Sequence, residues 1–234
     1  MNPVPGDALT YIPAVGSFDA VLFDFGHTLF DSVPASQHCR RYEDAHGVTV
    51  DDEAFAVLWR EIQARSRTPD ELAKGRDLNP ELHEACWVSL FAPLDELAPG
   101  LAGFVYAADV SAAGWRPYPD AQFVMQQVKE WGLSIGVVSN TGWDIRAVFR
   151  HYELDQYVDV FVLSCDHGVV KPDVALFEIA IAELGVAPER TLMVGDHPVA
   201  DAAPAEVGVT CLILPRIDRT ERPALGTVLA LTGP

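Results

Sequence analysis

The stretch Val21-Leu22-Phe23-Asp24-Phe25-Gly26-His27-Thr28-Leu29-Phe30-Asp31 decides how this chain is read. An apolar run ends in Asp24, a glycine bend follows, and Thr28 stands four positions after the aspartate. A strand that ends this way delivers one carboxylate to the mouth of a sheet, where open α/β folds bind their ligands. Three further polar landmarks lie downstream. Ser139-Asn140 follows the apolar run Ile135–Val138, Lys171 precedes a proline, and Gly195-Asp196 with Asp201 follows Leu192–Val194. Together they point to covalent or metal-assisted chemistry on a phosphate-like group.

Working outward, residues 1–17 read as an irregular N-terminal arm. From Pro34 to about Ser111 helical periods recur without a convincing strand: Leu58, Ile62 and Arg65 form one set, and Leu82, Ala85, Cys86 and Ser89 another. Prolines and Gly75 punctuate this stretch. After Pro117 the texture alternates. Helices are predicted over 119–131, 143–151, 173–184 and 198–207, and strands over 133–138, 158–163, 192–194 and 209–214. Gly132, Gly185 and Gly208 close three of the helices. Strands separated by helices of this length mean parallel pairing with helices on both faces. The predicted architecture is a Rossmann-like parallel α/β core, residues 18–32 and 113–234, with an inserted all-helical segment over 33–112.

Composition bounds the function. The 234 residues suffice for one large domain or a domain with an insert. A mean hydropathy of +0.12 argues for a filled core. The net charge of -18 disfavours nucleic acid and anionic membranes as partners. It equally requires that any phosphate site be locally positive. The longest uncharged run, Trp131–Trp143, falls short of the roughly 20 residues of a membrane helix. Met1–Ser17 lacks a basic secretory start and contains Asp7 and three prolines. Cys39, Cys86, Cys165 and Cys211 form no C-x-x-C pair. The expectation is a cytoplasmic protein with reduced thiols, monomer or homodimer.

Each landmark also has an ordinary reading. Asp24 is either a nucleophile, since a carboxylate attacking phosphorus forms a covalent intermediate that water cleaves, or a turn cap. Ser139 and Asn140 either hold anionic oxygens or cap the next helix. Lys171 either neutralises a carboxylate and a phosphoryl group or is a solvated surface residue. It is one of only three lysines, with Lys74 and Lys129. Asp196 and Asp201, five positions apart, are hard oxygen ligands suited to Mg²⁺ or acidic helix-terminus caps. Trp143 reads as pocket wall or core.

In this order the landmarks resemble the haloacid dehalogenase-like (HAD) superfamily, from about Phe18 to Leu214. The resemblance implies that Asp24 is the nucleophile of a first motif running to Thr28. It makes Ser139 the second-motif hydroxyl, Lys171 the third-motif lysine, and Asp196 with Asp201 the acidic fourth motif. Thr28, Ser139, Asn140 and Lys171 are then expected to bind phosphate or substrate. Mg²⁺ is expected on Asp24, Asp196, Asp201 and the Gly26 carbonyl. The helical insert is similar to a C1-type cap, and the acidic pair resembles the Mg²⁺-dependent phosphatase branch acting on small phosphorylated metabolites.

Two positions depart from that pattern. Where phosphatases of the superfamily carry a second aspartate as acid and base, this chain has Gly26, and where they carry glycine it has His27. Losing a positioned acid/base costs about 10²–10⁴ in rate. Several readings follow: His27 supplies the proton; substrates with good leaving groups need no acid; the protein is a weakly active or non-catalytic binder of a phosphorylated ligand or partner; or the reaction is dehalogenase- or phosphonatase-type cleavage.

Overall fold

The structure, a computed structural model, describes residues 18–214 and 224–234; the expected arm at 1–17 lies outside them. Its centre is β1 (Ala20–Phe23), every residue of which is buried. A strand covered on both faces reads as an unbroken apolar run rather than an alternating one. The chain then makes β2 (Phe30–Ser32) and enters five helices: α1 (Ala35–His46), α2 (Asp52–Ser66), α3 (Pro69–Leu72), α4 (Pro80–Phe91) and α5 (Leu101–Asp109). It returns through β3 (Trp115–Pro117), which pairs antiparallel with β2. The rest alternates: α6 (Ala121–Glu130), β4 (Ser134–Ser139), α7 (Arg146–His151), β5 (Val160–Leu163), α8 (Ser164–His167), α9 (Ala175–Leu184), β6 (Thr191–Gly195), β7 (Thr210–Ile213) and α10 (Gly226–Thr232).

The five-stranded sheet has the order β5-β4-β1-β6-β7, with every pairing parallel. Side chains alternate across it. Val21, Phe23, Ile135, Val137, Leu192 and Val194 enter one apolar cluster with residues of α6, α7 and α10. Leu22, Val138 and Met193 enter the opposite cluster with Leu176, Phe177 and Ala180 of α9. This is the expected Rossmann-like α/β sandwich.

The inserted helices build their own core around Tyr42, Phe55, Leu90, Phe91, Leu101 and Val105. Their boundaries are local. Asp51 accepts the backbone N–H groups of Glu53 and Ala54 at the start of α2, and Asn79 accepts that of Leu82 before Pro80 opens α4. Among the described residues no helix is long and apolar enough to cross a membrane. All four cysteines are free.

The structure departs from the sequence expectations in a few places. The helix expected over 198–207 is a run of turns ending in a 3₁₀ segment, Ala203–Val207. Pro204, inside the expected helix, lacks the N–H that an α-helix would use. The helix expected from residue 143 starts at Arg146, because Thr141 Oγ1 accepts from the N–H of Trp143 and Asp144 accepts from that of Arg146, holding a turn. The β2–β3 ribbon and α10 carried no legible signal.

Candidate active site

The switch in strand order puts β1 between β4 and β6. Their carboxyl ends therefore open side by side, where doubly wound sheets bind ligands. Asp24 follows β1, its N–H held by Val194 O at 2.9 Å. Ser139 ends β4, and Asp196 follows β6. Lys171 reaches them from the loop before α9. Its Nζ donates to Asp24 Oδ1 at 2.6 Å, to Asp201 Oδ1 at 2.6 Å and to Val138 O at 3.1 Å. Each of its three donors is thus used.

The supports of this cluster are backbone groups. Asp201 Oδ2 accepts the N–H of Asp196 at 3.0 Å and of His197 at 2.8 Å, so the turn at 196–201 folds around its carboxylate. Gly195 makes that possible, since a Cβ there would lie 2.2 Å from Asp201 Cγ. The Asn140 amide bridges the backbone of Lys171, donating to its carbonyl at 2.9 Å and accepting its N–H at 2.7 Å.

Burial pushes the Asp24 carboxyl up to about 6, with Lys171 opposing and Asp201 and Asp196 adding to the rise. For Lys171, burial works against the charge, but Asp24 and Asp201 outweigh it and hold the ammonium above the usual lysine value. One ammonium faces three carboxylates. Oxygens of Asp24, Asp196 and Asp201 all lie within 4.8 Å of one another. An all-oxygen, anion-rich set of that size suits a hard divalent cation.

These groups form the floor of a cavity of about 650 Å³. Its opposite wall comes from the inserted helices, through Trp59, Leu72, Arg76, Asp77, Trp87 and Asp109. The two walls are joined directly. Ser164 Oγ donates to Asp77 O at 2.6 Å, and Gly142 lies against Arg76 and His83. The Arg76 guanidinium stacks on Trp87 at 4.8 Å and donates from Nη1 to Ser66 O at 2.7 Å.

The cavity gathers Asp24, Gly26, His27, Ser139, Asn140, Lys171, Asp196 and Asp201 on its wall, with Trp143 among them. Two expected substrate contacts sit differently. Thr28 is buried behind Asp24, its Oγ1 at 3.4 Å from Oδ2, and is not on the cavity wall. Asn140 spends its amide on the Lys171 backbone. His27 adopts a φ of +61°, the left-handed region that favours glycine, and its Nδ1 lies 3.3 Å from Asp31 Oδ1. The sequence reading missed Arg76, Trp87 and Asp109. Trp87 and Asp109 come from helices and Arg76 from the turn between α3 and α4, none within a motif, so no local signal marked them.

A parallel sheet with acidic and basic groups gathered at its carboxyl ends is the arrangement of a Rossmann-like enzyme. The sequence matches the family model for haloacid dehalogenase-like hydrolases over residues 18–207, and the chain belongs to that family. It is 32% identical over 228 residues to phosphoserine phosphatase of Thermus thermophilus, covering 87% of this chain and 91% of that one. It is 28% identical over 188 residues to glyceraldehyde 3-phosphate phosphatase of Methanothermobacter thermautotrophicus, 76% of each chain. It is 27% identical over 187 residues to (S)-2-haloacid dehalogenase 4A of Burkholderia cepacia, 78% of this chain and 77% of that one. The fold is shared with a HAD phosphatase from Thermococcus onnurineus, with a TM-score of 0.61, 22% identity and coverage of 92% and 98%.

Proposed function

We propose that this enzyme is a Mg²⁺-dependent phosphatase of small phosphorylated metabolites, working through an aspartyl-phosphate on Asp24. The observation that carries the reading is the double contact of Lys171 Nζ with Asp24 and Asp201, at 2.6 Å each, on the floor of the cavity. The lysine holds the Asp24 carboxylate ionised and aimed, and its charge offsets that of an arriving phosphoryl group. Ser139, at the end of β4 on the cavity wall, offers its hydroxyl to the phosphoryl oxygens. Asp24, Asp196, Asp201 and the Gly26 carbonyl would hold the cation. When bound, it would supply positive charge that offsets the repulsion between these carboxylates and an arriving phosphoryl group.

On this reading residues 33–112 are a cap over the core of 18–32 and 113–234. The cap wall excludes water, and Arg76 and Trp87 shape the space left for the substrate. Relatives named as phosphatases support the reaction class. The size of the cavity supports a metabolite rather than a phosphoprotein.

Gly26 favours a second reading, carbon–halogen cleavage, because a departing halide needs no proton. Parallel assays of aryl, acyl and alkyl phosphates with Mg²⁺, and of 2-haloacids without it, separate the two. Phosphate release with loss in Asp24→Asn is expected. Halide release alone would overturn the phosphatase reading.

A further inference from the structure

Gly26 leaves the proposed transfer without a carboxylate beside the nucleophile, and the cavity wall contains another. Asp109 is the last residue of α5 and shares the cavity with Asp24 and Gly26. Its backbone is clamped. The indole N–H of Trp115 donates to Asp109 O at 2.7 Å. Gly114 packs so close that a Cβ on it would lie 3.0 Å from Asp109 Cα and 2.5 Å from Ala108 O. The far edge of the Trp115 ring lies 3.6 Å from where a Cβ on Gly26 would stand. One indole thus spans the gap between the vacant side-chain position and Asp109. Among the described residues the Asp109 carboxyl makes no hydrogen bond or ion pair, and burial alone pushes it up to about 6. A half-buried carboxyl without a partner, on a residue of the cavity wall, has its proton free for chemistry.

We propose that Asp109 is the acid–base residue of this enzyme, giving the leaving oxygen the proton that a carboxylate at position 26 would otherwise give. The inference rests on the reading of Asp24 as nucleophile. In the first step an Asp24 oxygen bonds to phosphorus. The ester P–O bond breaks, its electron pair goes to the leaving oxygen, and the Asp109 proton joins that oxygen to make the alcohol. In the second step the Asp109 carboxylate takes a proton from water, the water oxygen bonds to phosphorus, and the pair of the P–Oδ bond returns to Asp24. Phosphate leaves and Asp109 is protonated again.

The other titratable groups near Asp109 and on the wall have partners of their own, His197 among them, whose Nδ1 accepts the N–H groups of Val199 and Ala200 at 3.3 and 3.1 Å. Lys171 is bound to Asp24 and Asp201, His27 stands against Asp31, and Arg76 lies 4.0 Å from Asp77. His83 Nδ1 lies 3.2 Å from Tyr106 Oη, and burial, with Arg76, pushes its imidazole down to about 4. Tyr106, one turn before Asp109 on α5, is pushed up to about 12 by burial first, with Glu84 and Asp109 adding to it.

The test is Asp109→Asn in the full chain, assayed with Mg²⁺ on p-nitrophenyl phosphate and on a simple alkyl phosphate. Asp109→Ser serves as a second variant should the first fail to fold. Alkyl phosphate turnover should fall about 10²–10⁴-fold. The aryl phosphate should give a burst of nitrophenol and then a slow steady state, because the aspartyl-phosphate accumulates. The basic limb of the parent kcat–pH profile should disappear, and Gly26→Asp/Asp109→Asn should recover alkyl turnover. Undiminished alkyl turnover in Asp109→Asn overturns the inference. So does an equal loss on both esters without phosphoenzyme and without rescue, or a loss that His27→Ala produces and Asp109→Asn does not. If the parent enzyme hydrolyses no phosphate and takes no label on Asp24, the phosphatase reading falls, and this inference with it.

Discussion

Gly142, at the end of the Ser139-Asn140-Thr141-Gly142 loop, abuts His83 of the inserted helices so closely that a Cβ on it would lie 2.3 Å from His83 Cβ and 2.5 Å from Arg76 O. Backbone and Cβ atoms cannot rotate away as a flexible side-chain tip can. In Gly142→Ala the helical segment must therefore shift off the sheet. Overpacking of this kind costs about 1–3 kcal/mol, which lowers Tm by several degrees in a chain of this size. KM for small phosphates should rise as the wall carrying Arg76 and Trp87 retreats. Wild-type melting and kcat/KM in this variant would show that the two walls do not meet in solution.

Removing the charge at the nucleophile should stop the chemistry without disturbing the fold. Asp24→Asn is expected to lose about 10³-fold or more in kcat and to take no phosphoryl label in intact-mass spectra of trapped enzyme. Lys171→Met should behave differently, because it leaves Asp24 and Asp201 buried together without their cation. Breaking a buried pair costs about 3–5 kcal/mol, so a marked fall in Tm should accompany lost activity. A Lys171→Met protein as stable as the parent at neutral pH would refute the ion-pair role.

Mg²⁺ should raise the melting temperature, since a ligand bound only by the native state stabilises it, by about 2.7 kcal/mol at 100 times its Kd. Calorimetric titration of Asp196→Asn/Asp201→Asn should show that binding gone. Gly195→Ala should weaken it indirectly, because the new Cβ would occupy the space of the Asp201 carboxylate. Unchanged Mg²⁺ affinity in the double variant would remove the metal from this site.

His38 of α1 is buried, its Nδ1 finds no hydrogen-bond partner among the described residues, and burial, with Arg41 adding, pushes its imidazole down to about 4. In the unfolded chain it titrates near 6.5. Between those values the unfolded state takes up the proton more readily, so this group lowers stability as pH falls from about 6.5 toward 4. Asp24 and Asp109 act in the opposite sense, because their folded values near 6 exceed the unfolded carboxylate value and their buried charge is relieved on acidification. The comparison of variant with parent isolates the histidine. His38→Phe should have little effect on Tm at pH 8 and a clear stabilising effect at pH 5. An equal effect at both pH values would mean that His38 is not held neutral.

The amino-acid sequence by itself determined the layered core, because local signals sufficed there. The unbroken apolar run at 20–23, the amphipathic period of 121–130 and the glycines closing helices each act within a few residues of chain. The same run ending in Asp24, and the polar residues after β4 and β6, placed three chemical groups at strand ends before any pairing was known. What the tertiary structure alone decided depends on contacts between residues far apart in the chain. Lys171 meets Asp24 across 147 positions and Ser164 meets Asp77 across 87. Nothing in the local pattern of either segment encodes such a meeting. The same holds for the β2–β3 ribbon, whose three-residue strands are too short for a period to register. That ribbon carries Trp115 to the face of Gly26 and so brings Asp109 to the cavity. Strand ends are set by hydrophobic periodicity, whereas the far wall is set by how two separately packed cores abut, and that is a property of surfaces, not of spacing.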